Sequence, residues 1–232
     1  MDQTIMIVRN PRYALPSYHT MRRELDWSDN WGYSYIRQYW TYSERAPIAE
    51  WNVWRDQRFN DEIQNYADFI HFWMQDGMFK NGTQPQQDWH CFHHLLDCTP
   101  KTVLKFENLI GLEGNETAYQ EMEKMARVLD DAPHINVIPI EARPCVFREV
   151  ERRPWMYNPR RDATNGPTSD LKKFSLAQLI KMKSVLVNLK LFYTKEPWAS
   201  KQIAIDLVAA LTTYIDEVEK EYQIDLALQE KS

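Results

Sequence analysis

The sequence predicts an α/β protein, predominantly helical by residue count. Three observations carry that expectation: short β-branched runs at residues 4–8 and 102–106, apolar residues at helical spacing directly after the first run, and two long amphipathic stretches at the carboxyl end. Strands are few and brief, and helices take most of the chain.

The first run, "TIMIV", reads as a short buried strand that ends at Arg9. Ala14, Leu15, Tyr18, Met21 and Leu25 then recur at helical spacing. Proline breaks a helix interior but costs almost nothing at the first helical position, so the helix is expected to start at Pro16. Ser17 and Tyr18 would then lie in the first turn, where backbone N–H groups lack intrahelical acceptors and the helix dipole is positive. A phosphate fits such a turn. Arg9 brings a planar fork matched to phosphate oxygens, and the Ser17 hydroxyl can donate a further hydrogen bond. Ligands of open α/β sheets also bind at the carboxyl edge of the strands. The competing reading is an ordinary strand–helix unit with a surface arginine.

Nine aromatic residues crowd residues 27–54, a density that suits either core packing or a stacking surface for a sugar ring or aromatic acceptor. A helix follows, capped by Asn60 or Asp61, with Ile63, Tyr66, Ala67, Ile70, Trp73 and Met74 on one face and Gly77 near its end. "NGTQPQQ" reads as a loop, and "KTVLKFENLI" returns to a strand. Asn115 caps a helix whose Tyr119, Met122, Met125 and Leu129 form the expected buried stripe, and "INVIPI" reads as a further short strand. Residues 143–167, rich in proline and arginine, precede the two terminal helices. Ser175 and Gln178 make a capping box there, with Phe174 and Leu179 as the hydrophobic staple. Leu179, Met182, Leu186, Leu189 and Tyr193 give the inward face. Pro197 interrupts, and the last helix carries Ala204, Leu207, Val208, Leu211, Ile215, Val218 and Tyr222 at the same spacing.

The 232 residues, 44% hydrophobic and 26% charged, suit one domain spanning 1–232. A formal net charge of −5 argues against a general nucleic-acid binder, although arginine pairs such as Arg152–Arg153 and Arg160–Arg161 can hold a small anion. No apolar stretch approaches the roughly 20 residues that cross a bilayer. Three cysteines, Cys91, Cys98 and Cys145, allow one bridge at most and leave the redox compartment open. The cluster "DWHCFHHLLDC" gathers His90, Cys91, His93, His94, Asp97 and Cys98, but no second pair of ligands accompanies it and a helix would scatter these side chains. No metal is expected.

"VRNPRYALPSYH" resembles the 3′-phosphate-binding segment of sulfotransferases that use 3′-phosphoadenosine 5′-phosphosulfate (PAPS). That pattern has an arginine closing a strand and a serine eight residues later, which Arg9 and Ser17 match. "FENL", Phe106 to Leu109, is similar to the family's Tyr-Glu-Asp-Leu segment, with two departures in four residues. The late segment "NPRRDATNGPTSDLKKF" is similar in place and chemistry to the family's Arg-Lys-Gly motif, although Asp162 stands where a small residue is expected.

The resemblance implies the helical remainder of a P-loop-like sulfotransferase fold with a small parallel sheet. Arg9 and Ser17 would hold the 3′-phosphate, with Arg160 or Arg161 assisting. Sulfate would pass from PAPS to a hydroxyl or amine of an acceptor, carbohydrates among the candidates. In that family the loop cradling the 5′-phosphosulfate, with its lysine, and generally the catalytic base lie upstream of the segment seen here. The domain is therefore expected to be incomplete at its amino terminus, and its compartment, Golgi or cytosol, stays open. His19 follows the phosphate segment and reads as a helix-packing residue rather than the base. The rivals are a noncatalytic helical module whose aromatic-rich middle docks a protein or glycan, an inactive sulfotransferase remnant, and another phosphate-binding enzyme of P-loop type.

Overall fold

In the computed structural model the residues described are 4–24, 48–75, 77–79, 86–87, 99–109, 115–131, 138–152 and 173–230. Strand β1 (Ile5–Val8) runs into helix α1 (Pro11–Glu24); α2 (Ile48–Met74) follows, then the short β2 (Met78–Phe79) and β3 (Gln86–Gln87), and β4 (Thr102–Lys105) leads into α3 (Phe106–Leu109). The described elements that follow are helical: α4 (Asn115–Asp130), a 3₁₀ turn (Ile140–Ala142), α5 (Arg143–Arg152), α6 (Leu176–Tyr193) and α7 (Gln202–Gln229). The protein is therefore mostly helical with a small parallel sheet.

That sheet pairs β1 with β4 in parallel, Ile5 against Thr102 through Val8 against Lys105. Parallel neighbours need a long crossover, here supplied by α1, α2 and the β2–β3 ribbon. Met6, Val8, Val103 and Leu104 are buried, so both strands face the helices with apolar side chains.

The helix α1 starts at Pro11, five residues before the expected Pro16. The rule that places proline at the first helical position holds for a different proline. Asn10 supplies the cap that Pro16 lacks: its Oδ1 accepts the Arg12 N–H at 3.0 Å, and its carbonyl accepts those of Tyr13 and Ala14 at 2.9 and 2.8 Å. Pro16 then lies inside the helix, with its ring buried.

Helix α2 also starts earlier than expected, at Ile48, because Trp51 and Phe59 carry the buried stripe of Ile63, Ala67, Ile70 and Met74 upstream. Asn60 and Asp61 are exposed residues within it. Gly77, at φ 67°, turns the chain out of the helix with its N–H on the Phe72 carbonyl at 3.0 Å.

Helix α4 faces inward with Ala118, Glu121 and Ala126, while Tyr119, Met122, Met125 and Leu129 are only half-buried. The rotation follows from Glu121, whose carboxylate accepts the Lys105 N–H at 3.1 Å, Asn108 Nδ2 at 3.3 Å and Lys124 Nζ at 2.9 Å. Of the expected "INVIPI" strand, residues 135–137 lie outside the described residues, and Ile140 opens the 3₁₀ turn closed by the Ala142 N–H on the Pro139 carbonyl. Buried Arg143 clamps this corner, with Nη2 on both Asp130 oxygens at 2.5 and 2.6 Å, Nη1 on Glu123 at 3.1 Å and Nε on the Ile138 carbonyl at 3.0 Å. The Asp130 hydrogen bonds, foremost, raise its pKa further.

The terminal pair α6 and α7 follows the sequence expectation. Ser175 and Gln178 form the capping box, Phe174 and Leu179 are both buried beside it, and Pro197 lies in the connection between the helices. Leu179, Met182, Leu186 and Leu189 join Ala204, Leu207, Leu211 and Val218 in one core with the α2 stripe, Met6, Val8 and Val103. Among the described residues no helix is long and apolar enough to cross a membrane.

Candidate functional site

The carboxyl end of the β1–β4 pair is where sequence reasoning placed an anion. The register puts Val8 opposite Lys105, so the next residues, Arg9 and Phe106, meet as the chains leave the sheet. The Arg9 guanidinium lies over the Phe106 ring, 4.6 Å from its centroid. Its Nε is buried and has no hydrogen-bond partner among the described residues. Burial holds the Arg9 pKa below its ordinary value, opposed chiefly by the charge of Glu107.

Four side chains fix the turn that carries Arg9. Tyr66, from α2, donates its hydroxyl to the Arg9 carbonyl at 3.0 Å. Tyr214, fully buried on α7, places its hydroxyl 3.1 Å from the Val8 carbonyl and 3.0 Å from Glu107 Oε2. Glu107, buried in α3, accepts the Asn10 N–H at 2.9 Å on its other oxygen. Asn10 Nδ2 in turn donates to Glu217 of α7 at 2.7 Å. Burial first, and the Glu107 charge second, raise the pKa of both tyrosines, so each stays protonated as a donor at neutral pH.

Ser17 does not stand in the opening turn of α1. It lies six residues beyond Pro11, about 9 Å along the helix axis at 1.5 Å per residue. It is half-buried there and shares no hydrogen bond with Arg9. The N–H groups of the first turn that does form, those of Arg12, Tyr13 and Ala14, are taken by Asn10. What remains for an anion is the guanidinium. Arg160 and Arg161 lie outside the described residues, as does the histidine–cysteine cluster at residues 90–98.

Of the aromatic-rich middle, residues 48–54 are described. Trp51 is fully buried, with its ring 5.4 Å from Phe174 and its Nε1–H donated to the Lys173 carbonyl at 3.3 Å. His19 packs 5.6 Å from Trp51 and 5.1 Å from Trp54, which makes it a core residue of the α1–α2 contact. These rings are therefore packing material, not a stacking surface.

A cleft of about 410 Å³ opens between α1 and the second half of α7. Its charged lining is balanced, with Arg12, Lys173 and Lys220 against Glu217, Glu221 and Asp225. Arg12 pairs with Glu221, and Lys173 with Asp225 at 2.9 Å. It is a salt-bridged seam that suits no polyanion, and neither Arg9 nor Ser17 lines it. Among the described residues no group of three or more His, Cys, Asp or Glu side chains is placed to hold a metal.

Within this cluster the sequence singles out Arg9 and not the side chains around it. Periodicity marks Tyr66 only as part of an apolar face and Glu107 only as part of a motif, and it does not single out Tyr214. The signal for Tyr214 was present: it sits within the stripe of Leu207, Leu211 and Val218, and a tyrosine on a buried stripe needs a partner for its hydroxyl. No protein-family model matches the chain, and neither a curated protein nor a solved structure does.

Proposed function

We propose that the chain belongs to a PAPS-dependent sulfotransferase with a P-loop-like fold and that Arg9 holds the nucleotide's 3′-phosphate. The observation that carries this reading is the Arg9 guanidinium, which is stacked on Phe106 with a buried Nε–H that has no partner among the described residues. An unpaired buried donor on a cation costs stability that an anionic ligand would return. The reading is supported further by proximity, since the two segments that resemble the family separately are neighbours in one parallel sheet. Arg160 or Arg161 would add contacts to the nucleotide. The reaction would carry sulfate in line to an acceptor hydroxyl or amine, carbohydrate acceptors included, with rate arising from contacts that strengthen as charge develops on the leaving phosphate.

The test is a thermal shift with adenosine 3′,5′-bisphosphate and adenosine 5′-monophosphate side by side. The bisphosphate stabilises the wild type, the monophosphate does so far less, and Arg9→Ala abolishes the difference. Equal shifts from the two nucleotides, or none from either with folded protein, would favour the noncatalytic module.

A further inference from the structure

Glu107 is buried and half-buried Arg9 is its neighbour of opposite charge, yet no ion pair joins them among the described residues. Side chains of this kind ordinarily close into a bidentate pair that consumes the arginine's donors. The carboxylate is engaged elsewhere. Oε1 accepts the Asn10 N–H at 2.9 Å and Oε2 faces the Tyr214 hydroxyl at 3.0 Å, and hydrogen bonds to a carboxylate are the strong ones. The result is a guanidinium that feels a stabilising negative charge and keeps an Nε–H unspent among the described residues.

We propose that Tyr214 is a positioning residue that holds Glu107 away from Arg9 and so keeps the half-buried guanidinium open to a phosphate. The proposal rests on the reading of Arg9 as the residue that holds the 3′-phosphate. Tyr214 is placed for this role because it touches both sides of the turn: the Val8 carbonyl fixes where the strand ends, and Glu107 Oε2 fixes where the carboxylate points. Tyr66 adds a backbone restraint on the same turn by donating to the Arg9 carbonyl. Without the Tyr214 hydroxyl, Oε2 is released towards Arg9, on which the Glu107 charge already acts. Arg9 then becomes a closed ion pair.

The experiment compares wild type, Tyr214→Phe, Glu107→Gln and the double variant with two readouts. The first needs no nucleotide: the Arg9 Nε–H resonance in ¹⁵N-arginine-labelled protein, assigned by its loss in Arg9→Lys. Tyr214→Phe moves that resonance towards a carboxylate-bonded position, and the double variant returns it. The second is calorimetric affinity for adenosine 3′,5′-bisphosphate, which falls about tenfold in Tyr214→Phe and recovers in the double variant, because a neutral amide offers the guanidinium no charge to pair with. A tyrosine that merely supports the fold gives a double variant as weak as Tyr214→Phe, and that result overturns the proposal. So does an unmoved Arg9 resonance. If Tyr214→Phe does not fold, Glu107→Gln alone decides: tighter binding than wild type supports the proposal, and weaker binding overturns it. A resonance that switches as expected in protein that binds no bisphosphate upholds the Tyr214 role and overturns the nucleotide reading instead.

Discussion

Asn10 and Glu217 join across 207 residues of sequence, with the amide Nδ2 2.7 Å from the carboxylate. The same amide's oxygen caps α1, so one side chain sets the start of the first helix and ties it to the last. Asn10→Ala removes both contacts while leaving the backbone bond to Glu107. A lost cap and a lost hydrogen bond to a charged group together cost about 2–3 kcal/mol, read as a lower urea midpoint with an unchanged slope.

Leu186→Ala tests where the core lies. Leu186 is fully buried between the terminal helices and the α2 stripe, whereas Ile180, on the same helix, is 55% exposed. Truncating Leu186 costs about 2–5 kcal/mol through lost burial and a residual cavity. Ile180→Ala changes stability by no more than about 0.5 kcal/mol, the usual scale for a surface substitution. Urea titration of the two variants checks the contrast.

Alkali reaches the tyrosines only by opening the fold. Burial raises the pKa of Tyr66, Tyr193 and Tyr214, so their folded values exceed the unfolded value of about 10. A raised pKa gives stability that is whole below the unfolded value and is lost as pH climbs through the folded one. The late part of the 295 nm absorbance rise should therefore coincide with loss of helical circular dichroism. Tyrosinate signal that completes while the helices persist would contradict the burial.

Acid acts at the opposite sign on Glu219. Hydrogen bonds from Lys183 first and Gln223 second hold its pKa below the ordinary carboxylate range, and the Lys183 contact spans α6 and α7 at 2.7 Å. A depressed pKa contributes stability above the unfolded value, about 4.3, that disappears as pH falls through the folded value. Wild type should therefore exceed Glu219→Gln in melting temperature near neutrality, and the gap should close below pH of about 4. The gap is small because the pair is solvent-exposed.

Periodicity made the terminal helices legible, since every residue of the α6 stripe from Leu179 to Tyr193 is buried and the Ser175–Gln178 box forms as spelled. It failed where a choice lay between equivalent signals. Pro11 and Pro16 both suit a first turn, and only the capping bonds of Asn10 decide between them. Glu121 defeated the α4 stripe in a different way, because a carboxylate needed by the Lys105 N–H and Asn108 turned the helix face. The site was half legible for the same reason. Arg9 stands at the end of a readable strand, whereas Tyr66, Glu107 and Tyr214 come from three distant helices whose convergence is a tertiary fact.

Arg9→Lys separates charge from shape at the candidate site. Lysine keeps the positive charge near Glu107 but has no planar group to lie on Phe106 and no Nε–H at the orphaned position. If the anion is held by charge alone, Arg9→Lys keeps the bisphosphate-dependent thermal shift. If it is held by the oriented guanidinium, the shift falls towards that of Arg9→Ala, with about tenfold weaker binding in calorimetry. The second outcome is expected, because Tyr66, Tyr214 and Phe106 all restrain the orientation of this residue and none of them adds positive charge.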